Sequence, residues 1–306
     1  MKFGSVPHPE AVDFTLPPDP EATTRFLSQL PAREGAPNFY LACPAWNDKG
    51  FVGKIFPKGT RQKDFLQHYA RHFNAIELNS TYYNLRLENL QKWKGETPAH
   101  FRFCPKISRE ISHFRQLNGA EEVTRRFCDA VAHFEEQLGP VWALLPQSFA
   151  PDRMGVLEQY LKTFPKGILC SVELRHEDWY RNHSAPHEVF DLMETHGAVS
   201  LITDVAGRRD VLHLRLTSPT VIIRFVGNRL RPTDFTRIDA WVERLKHWFD
   251  QGLETVYFFL HQPDETLNAD IGAYLVKRLD EVCGLKVPGP RLIPKAEEQP
   301  DLFSGF

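Results

Sequence analysis

Apolar and polar positions follow two rhythms that trade places repeatedly from residue 38 onward. Short apolar or β-branched runs occur at 39–43 (FYLAC), 75–79 (AIELN), 101–105 (FRFCP), 141–146 (VWALLP), 168–174 (ILCSVEL), 198–203 (AVSLIT), 221–226 (VIIRFV) and 256–261 (VYFFLH). Their length and composition predict eight buried strands. Between most of them the period becomes helical. In 120–138, Val123, Phe127, Val131, Phe134 and Leu138 share one face. In 234–250, Phe235, Ile238, Trp241, Val242, Leu245, Trp248 and Phe249 form a broad apolar stripe behind a capping Thr233 or Asp234. Further helices are expected at 60–73, 88–94, 151–164, 186–196 and 268–283, while 204–220 is too short for a crossover helix with its loops.

Strands alternating with helices imply parallel pairing through right-handed crossovers. Eight such units predict an α/β fold, a single TIM-type (β/α)8 barrel domain over 38–285. A doubly wound open sheet is the alternative. That fold usually carries a Gly-rich phosphate loop after its first strand, and Pro44-Ala45-Trp46-Asn47 is not one. Ahead of the barrel lies a Pro-rich N-terminal arm, 1–37, with one helix capped by Asp19, Pro20 in its first position, and Phe26, Leu27 and Leu30 as its apolar face. A Pro-rich C-terminal tail, 286–306, follows.

Composition narrows the setting. With 306 residues, 42% apolar and 25% charged, the chain can bury a large core. Its 37 Lys and Arg against 39 Asp and Glu leave a net charge of −2, which disfavours strong autonomous nucleic-acid binding. No run approaches the ~20 apolar residues of a membrane helix, so no membrane partner is expected, and the first residues lack a secretory apolar block. Cys43, Cys104, Cys128, Cys170 and Cys283 are widely spaced without a CxxC, which predicts a reducing, cytoplasmic location and neither a disulfide framework nor a zinc site.

Chemistry is expected at the strand C-termini, where parallel barrels build their sites. Alternation within strands points Glu77 and Asn79 inward, likewise Arg102, Cys104 and Lys106, then Ser171, Glu173 and Arg175, and Arg224. Asp204 and His261 end the sixth and eighth strands. Charges between apolar neighbours are costly to bury unless paired. The functional reading makes Glu77, Glu173, Asp204 and His261 the candidate catalytic set, with the two glutamates exchanging protons. Asn79, Lys106, Arg175 and Arg224 would then bind a small anionic ligand. An ion-pair network filling a polar barrel layer is the rival. No metal is assigned, since HxH and HExxH are absent, and the cofactor is left unknown. There is no GxSxG elbow, and Gly207-Arg208-Arg209-Asp210 is a candidate phosphate contact.

These motifs resemble the YecE-like family, domain of unknown function 72, across 38–285. The likeness rests on Trp46, Phe56-Pro57, the run from Tyr69 to Tyr83 (YARHFNAIELNSTYY), Trp93, Pro98, Phe101-Arg102-Phe103 with Lys106, and His113. It continues in Leu144-Leu145-Pro146-Gln147, Val172 to Trp179 (VELRHEDW), Asp204, Arg224-Phe225-Val226-Gly227 and Tyr257-Phe258-Phe259. Ala42-Cys43-Pro44-Ala45-Trp46 departs from the family's usual Gly-x-Ser-Gly-Trp. The resemblance implies a TIM-like barrel and no particular reaction.

The tail segment Gln299-Pro300-Asp301-Leu302-Phe303 is similar to the Gln-x-Asp-Leu-Phe peptides that dock bacterial DNA-metabolism proteins on the sliding clamp, with Gln299, Leu302 and Phe303 as contacts. The leading expectation is an enzyme of hydrolase, lyase or isomerase type using acid–base chemistry on a small or nucleotide-like anionic substrate. The alternative is a non-catalytic accessory module recruited to the sliding clamp by its tail.

Overall fold

The computed structural model describes residue 4, residues 6–181 and residues 185–294, so Gln299, Leu302 and Phe303 lie outside the described residues. Among these residues eight strands form close to the predicted positions: β1 (Asn38–Ala42), β2 (Ala75–Leu78), β3 (Arg102–Pro105), β4 (Val141–Leu144), β5 (Cys170–Glu173), β6 (Val199–Asp204), β7 (Thr220–Val226) and β8 (Thr255–His261). Every ladder is parallel. Six strands run in the order β1-β8-β7-β6-β5-β4, and β2 pairs with β3 in a second, two-stranded sheet. The fold is α/β with a mostly parallel sheet.

The helices are α1 (Glu21–Gln29), α2 (Phe65–Tyr69), α3 (Leu87–Gly95), α4 (Glu121–Val131), α5 (Met154–Thr163), α6 (Asp178–Arg181), α7 (Ala185–Thr195), α8 (Pro232–Asp250) and α9 (Asn268–Cys283). The long helix expected over 120–138 ends at Val131 and tightens into a 3-10 turn, broken where Glu135 takes a positive φ of 51°. Between β6 and β7 only a 3-10 turn forms, as the short spacing predicts. None of the described helices is long and apolar enough to cross a membrane.

Two expected caps do other work. Asp19 accepts from Arg244 and from Trp248 Nε1 at 3.0 Å, tying the N-terminal arm to α8. Asp234 turns back to accept the backbone N–H groups of Asn228 and Leu230, closing the loop ahead of α8. A charged side chain that satisfies several buried donors is worth more there than at a solvated helix end.

Alternation divides the strand residues between two apolar clusters. One joins the strands to the helices and includes Leu41, Ile76, Phe103, Val172, Ile223 and Phe258. The other lies on the opposite face of the sheets and holds Ala42, Cys104, Trp142, Leu201, Ile222, Tyr257 and Phe259. The charged residues of interest sit above this second cluster, at the strand C-termini.

Side chains stitch the β1–β2 seam where no ladder runs. Asn74 accepts from Leu41 N–H at 2.7 Å and donates to Phe39 C=O at 2.8 Å, so one amide stands in for a missing backbone partner. Tyr69 accepts from Cys43 N–H at 3.0 Å and donates to Ala75 C=O at 2.9 Å. Glu77 N–H also reaches Cys43 C=O, at 3.4 Å. Across the β3–β4 seam, Gly139 N–H donates to Phe103 C=O at 2.7 Å. A Cβ at Gly139 would come within 2.7 Å of Cys104 Sγ, so this approach requires glycine.

Asp204 departs from its expected place. Thr203 takes the charged face of β6, and Asp204 points to the helices, where it pairs with Arg209, with Arg237 Nη2 at 3.0 Å and with Trp241 Nε1 at 2.9 Å. Burial opposes its charge, but Arg237 and Arg209 hold its pKa below the ordinary carboxylate range. The residue anchors α8 to β6.

Replacing Asn74 by alanine strands a buried N–H and a buried C=O at the seam. Urea denaturation of Asn74→Ala is expected to show a stability loss of about 2–4 kcal/mol. A loss under about 0.5 kcal/mol would place the seam's stability elsewhere.

Candidate functional site

Four strands deliver one connected polar cluster. Arg224, inward on β7, is buried and reaches both glutamates. Its Nη1 donates to Glu173 Oε2 at 2.8 Å and its Nε to Glu77 Oε2 at 3.4 Å. His261, ending β8, lies 2.6 Å from Glu77 Oε2 through Nε2. Two acceptors do not approach so closely without a proton between them, so Nε2–H donates to Glu77. The other face of Glu173 accepts from Arg175 Nε and Nη2, each at 3.2 Å. Asn79 donates to Glu77 Oε1 at 3.1 Å, and Thr203 Oγ1 approaches Glu173 Oε1 at 3.5 Å.

The electrostatics follow from burial and pairing. Burial opposes the charge of Glu77, but its His261 and Arg224 neighbours more than offset this and hold its pKa well below the ordinary range. Glu173 is likewise lowered: burial is outweighed by Arg224, Arg175 and Lys106. Burial works against the Arg224 guanidinium, yet the two glutamates raise its proton affinity above the usual value. Burial depresses His261 below the ordinary histidine value, against the opposing pull of Glu77. Both glutamates are therefore committed as acceptors within the network.

Lys106 differs from the others. It follows β3, with its ammonium 4.7 Å from the Tyr82 ring centre and 4.8 Å from that of Trp142. It forms no ion pair with a carboxylate among the described residues. Burial pushes its pKa down to about 8, Glu77 pulling the other way and Arg224 adding to the depression. Trp142 also lies under Arg224, 5.2 Å from ring centre to guanidinium carbon, and its buried indole N–H has no hydrogen-bond partner among the described residues. The Trp142 ring thus lies beside the Lys106 ammonium and carries a donor that no described residue satisfies.

Two cavities flank the cluster at the strand ends. One, about 330 Å³, is lined by Ala45, Trp46, Asn47, Glu77, Asn79 and Trp93. The other, about 640 Å³, is lined by residues including His113, Leu144, Gln147, Arg175, Gly207 and Arg208. His113 is lowered by burial and by Lys106 and Arg175. Beyond β8, burial raises Glu265 to about 7 against the hydrogen bond it accepts from Asn268.

The structure thus gathers Glu77, Asn79, Lys106, Glu173, Arg175, Arg224 and His261, and leaves Asp204 on the helix side. Arg224, expected to clamp a ligand, clamps two carboxylates. Arg102, predicted inward, lies at the opposite strand end, its guanidinium 5.3 Å from the Tyr40 ring centre. In the candidate phosphate loop, Arg208 pairs with Asp210 and Arg209 with Asp204. Sequence reasoning missed Tyr82, Trp142, Thr203, His113 and Glu265. Trp142 and Thr203 were legible in strand alternation, whereas the others lie on connections without periodicity. Among the described residues no group of three His, Cys, Asp or Glu is placed to hold a metal ion.

Two solved structures of a DUF72 family protein from Enterococcus faecalis share this fold. One has a TM-score of 0.64 at 17% identity, covering 84% of this chain and 100% of that one. The other has a TM-score of 0.62 at 18% identity, covering 82% and 99%. UPF0759 protein YecE of Escherichia coli O157:H7 is 27% identical over 283 residues, 86% of this chain and 99% of that protein. UPF0759 protein YunF of Bacillus subtilis is 24% identical over 175 residues, 54% of this chain and 60% of that protein. The family model described as protein of unknown function DUF72 matches residues 40–294, and the chain belongs to that family.

Proposed function

We propose that this chain is an enzyme that binds a small anionic substrate at the strand C-termini and processes it by acid–base chemistry centred on Lys106. The supporting observation is the Lys106 ammonium itself: partly buried, held between two aromatic faces, and unmatched by a carboxylate while Arg224, Arg175 and His261 engage both nearby glutamates. A partly desolvated cation with no paired carboxylate favours an anionic ligand. Trp142, whose ring lies beside that ammonium, also carries a buried indole N–H with no partner among the described residues, a donor that an oxygen acceptor would satisfy. A pKa near 8 suits proton exchange close to neutral pH, which the strongly acidic glutamates do not.

In this reading Lys106 meets the anionic group and gives a proton to the oxygen that gains charge. Arg175 and Asn79 orient the substrate from the rims of the two cavities. Glu77, Glu173, Arg224 and His261 form the rigid field beneath. The reading also takes the two sheets as one closed (β/α)8 barrel. The pairing of β1 with β8 and the bridged β1–β2 and β3–β4 seams favour closure.

Calorimetric titration with inorganic phosphate and small phosphorylated and carboxylated compounds tests the reading. Binding at pH 7 is expected to weaken about tenfold by pH 9.5, as Lys106 loses its proton, and similarly in Lys106→Met. Undiminished binding by Lys106→Met contradicts it. Bound compounds incubated in D2O and followed by NMR should exchange protons or convert with wild type and not with the variant; compounds that bind but stay unchanged contradict the catalytic half.

Stability provides a second check. Below pH 8 the folded state carries the full cost of a buried ammonium. Between pH 8 and 10.5 the unfolded chain holds more protons, so this cost fades and stability rises with pH. Lys106→Met is therefore expected to be more stable than wild type at pH 7, by on the order of 1–3 kcal/mol, with the gain shrinking above pH 8. A variant less stable than wild type at pH 7 would mean that Lys106 is a structural cation.

A further inference from the structure

The aromatic surroundings of Lys106 continue outward to the protein surface. Among the described residues six large hydrophobic side chains are exposed, and three of them, Tyr83 (71%), Leu87 (46%) and Phe114 (72%), lie on the connections that follow β2 and β3. Isolated exposed rings are ordinary, but Tyr83 touches the aromatic group around Lys106 and Phe114 adjoins it in the chain. Tyr82, which covers the Lys106 ammonium, meets Tyr83 edge-on with ring centres 4.9 Å apart. It meets His113 edge-on at 5.3 Å. Phe114 follows His113 and carries the Arg109 guanidinium 5.5 Å from its ring centre.

The backbone presenting Phe114 is unusual. Glu110–Phe114 form a π-helical turn, a geometry frequent at functional sites. Gln116 and Leu117 follow with φ of 46° and 68°, two successive non-glycine residues in the left-handed region. Leu117 is buried and Gln116 donates to Ser148 at 3.2 Å, so the strained segment is pinned at both residues. Its outcome is to hold His113 beside Tyr82 and leave Phe114 in solvent.

We infer that this mouth binds a mononucleotide, with the base stacked on the exposed rings of Tyr83 and Phe114 and the phosphate drawn in to Lys106. The inference rests on the anion-binding reading of Lys106 and names the class of that anion. A nucleobase is flat and polar-edged, and it stacks on aromatic side chains with little demand on sequence. A phosphate matches an ammonium that no carboxylate pairs with. The steps of 4.7 Å from Lys106 to Tyr82 and 4.9 Å from Tyr82 to Tyr83 keep both ends within reach of one nucleotide. Arg109, stacked on Phe114, adds a second cation at the rim.

The test titrates the full chain with the 5′-monophosphates of adenosine, guanosine, cytidine and uridine, with ribose 5-phosphate and with inorganic phosphate. At least one nucleotide is expected to bind about tenfold or more tighter than ribose 5-phosphate. The double variant Tyr83→Ala/Phe114→Ala should remove that advantage while keeping ribose 5-phosphate affinity, and Lys106→Met should weaken both about tenfold. A single-stranded hexanucleotide with a 5′-phosphate separates the sources: weaker binding than the mononucleotide supports a free nucleotide, and tighter binding overturns it in favour of a strand end. Ribose 5-phosphate binding as tightly as every nucleotide, with Lys106→Met still damaging, overturns the inference and leaves the anion site standing. Binding of no phosphate overturns the inference, and binding indifferent to Lys106→Met overturns both. Circular dichroism of each variant confirms that it is folded.

Discussion

The buried guanidinium of Arg224 is the interaction on which the strand-end arrangement depends. It joins Glu77 on β2 to Glu173 on β5, and so connects the small sheet to the large one. Without this cation two buried carboxylates would face each other with little solvent to screen them. With it, both are fixed as anions, and His261 and Arg175 complete their hydrogen bonding. The network's rigidity has a consequence for its neighbour. Because the carboxylates are committed elsewhere, Lys106 is left with aromatic faces and no counter-ion.

Residue parity within strands explains why charge is concentrated on one face. Inward positions of β2, β5, β7 and β8 end in Glu77, Glu173, Arg224 and His261, above an apolar layer that includes Trp142 and Phe259. Outward positions supply the larger core against the helices. Asp204 belongs to that outward set. Its pairing with Arg237 and Trp241 of α8 is as dense as the inner network but faces helix, not cavity. A one-residue step along β6, from Thr203 to Asp204, separates the face that carries the Arg224 network from the one that meets the helices.

Much of this was legible in the sequence. Eight apolar runs mark the strands, and alternation alone puts Glu77, Glu173 and Arg224 on one face. The same rule applied to β6 would have turned Asp204 outward, since Leu201 and Thr203 take the inner face. Pair formation was less legible, because which carboxylate an arginine meets depends on the stagger between strands distant in sequence. The seam bonds of Asn74 and Tyr69 follow no period. The Tyr82, Tyr83, His113 and Phe114 rim lies on connections, where short 3-10 and π-helical turns and not a repeat set side-chain position.

The central claim is that Lys106 carries an unpaired ammonium destabilised by burial. Its most direct test is a pH titration of the Lys106 Nζ by NMR on protein with isotope-labelled lysine, the signal assigned by its loss in Lys106→Met. A midpoint at about 8 is predicted. A midpoint near 10.5, the ordinary lysine value, would mean that solvent or a carboxylate already satisfies this cation, and would contradict the account.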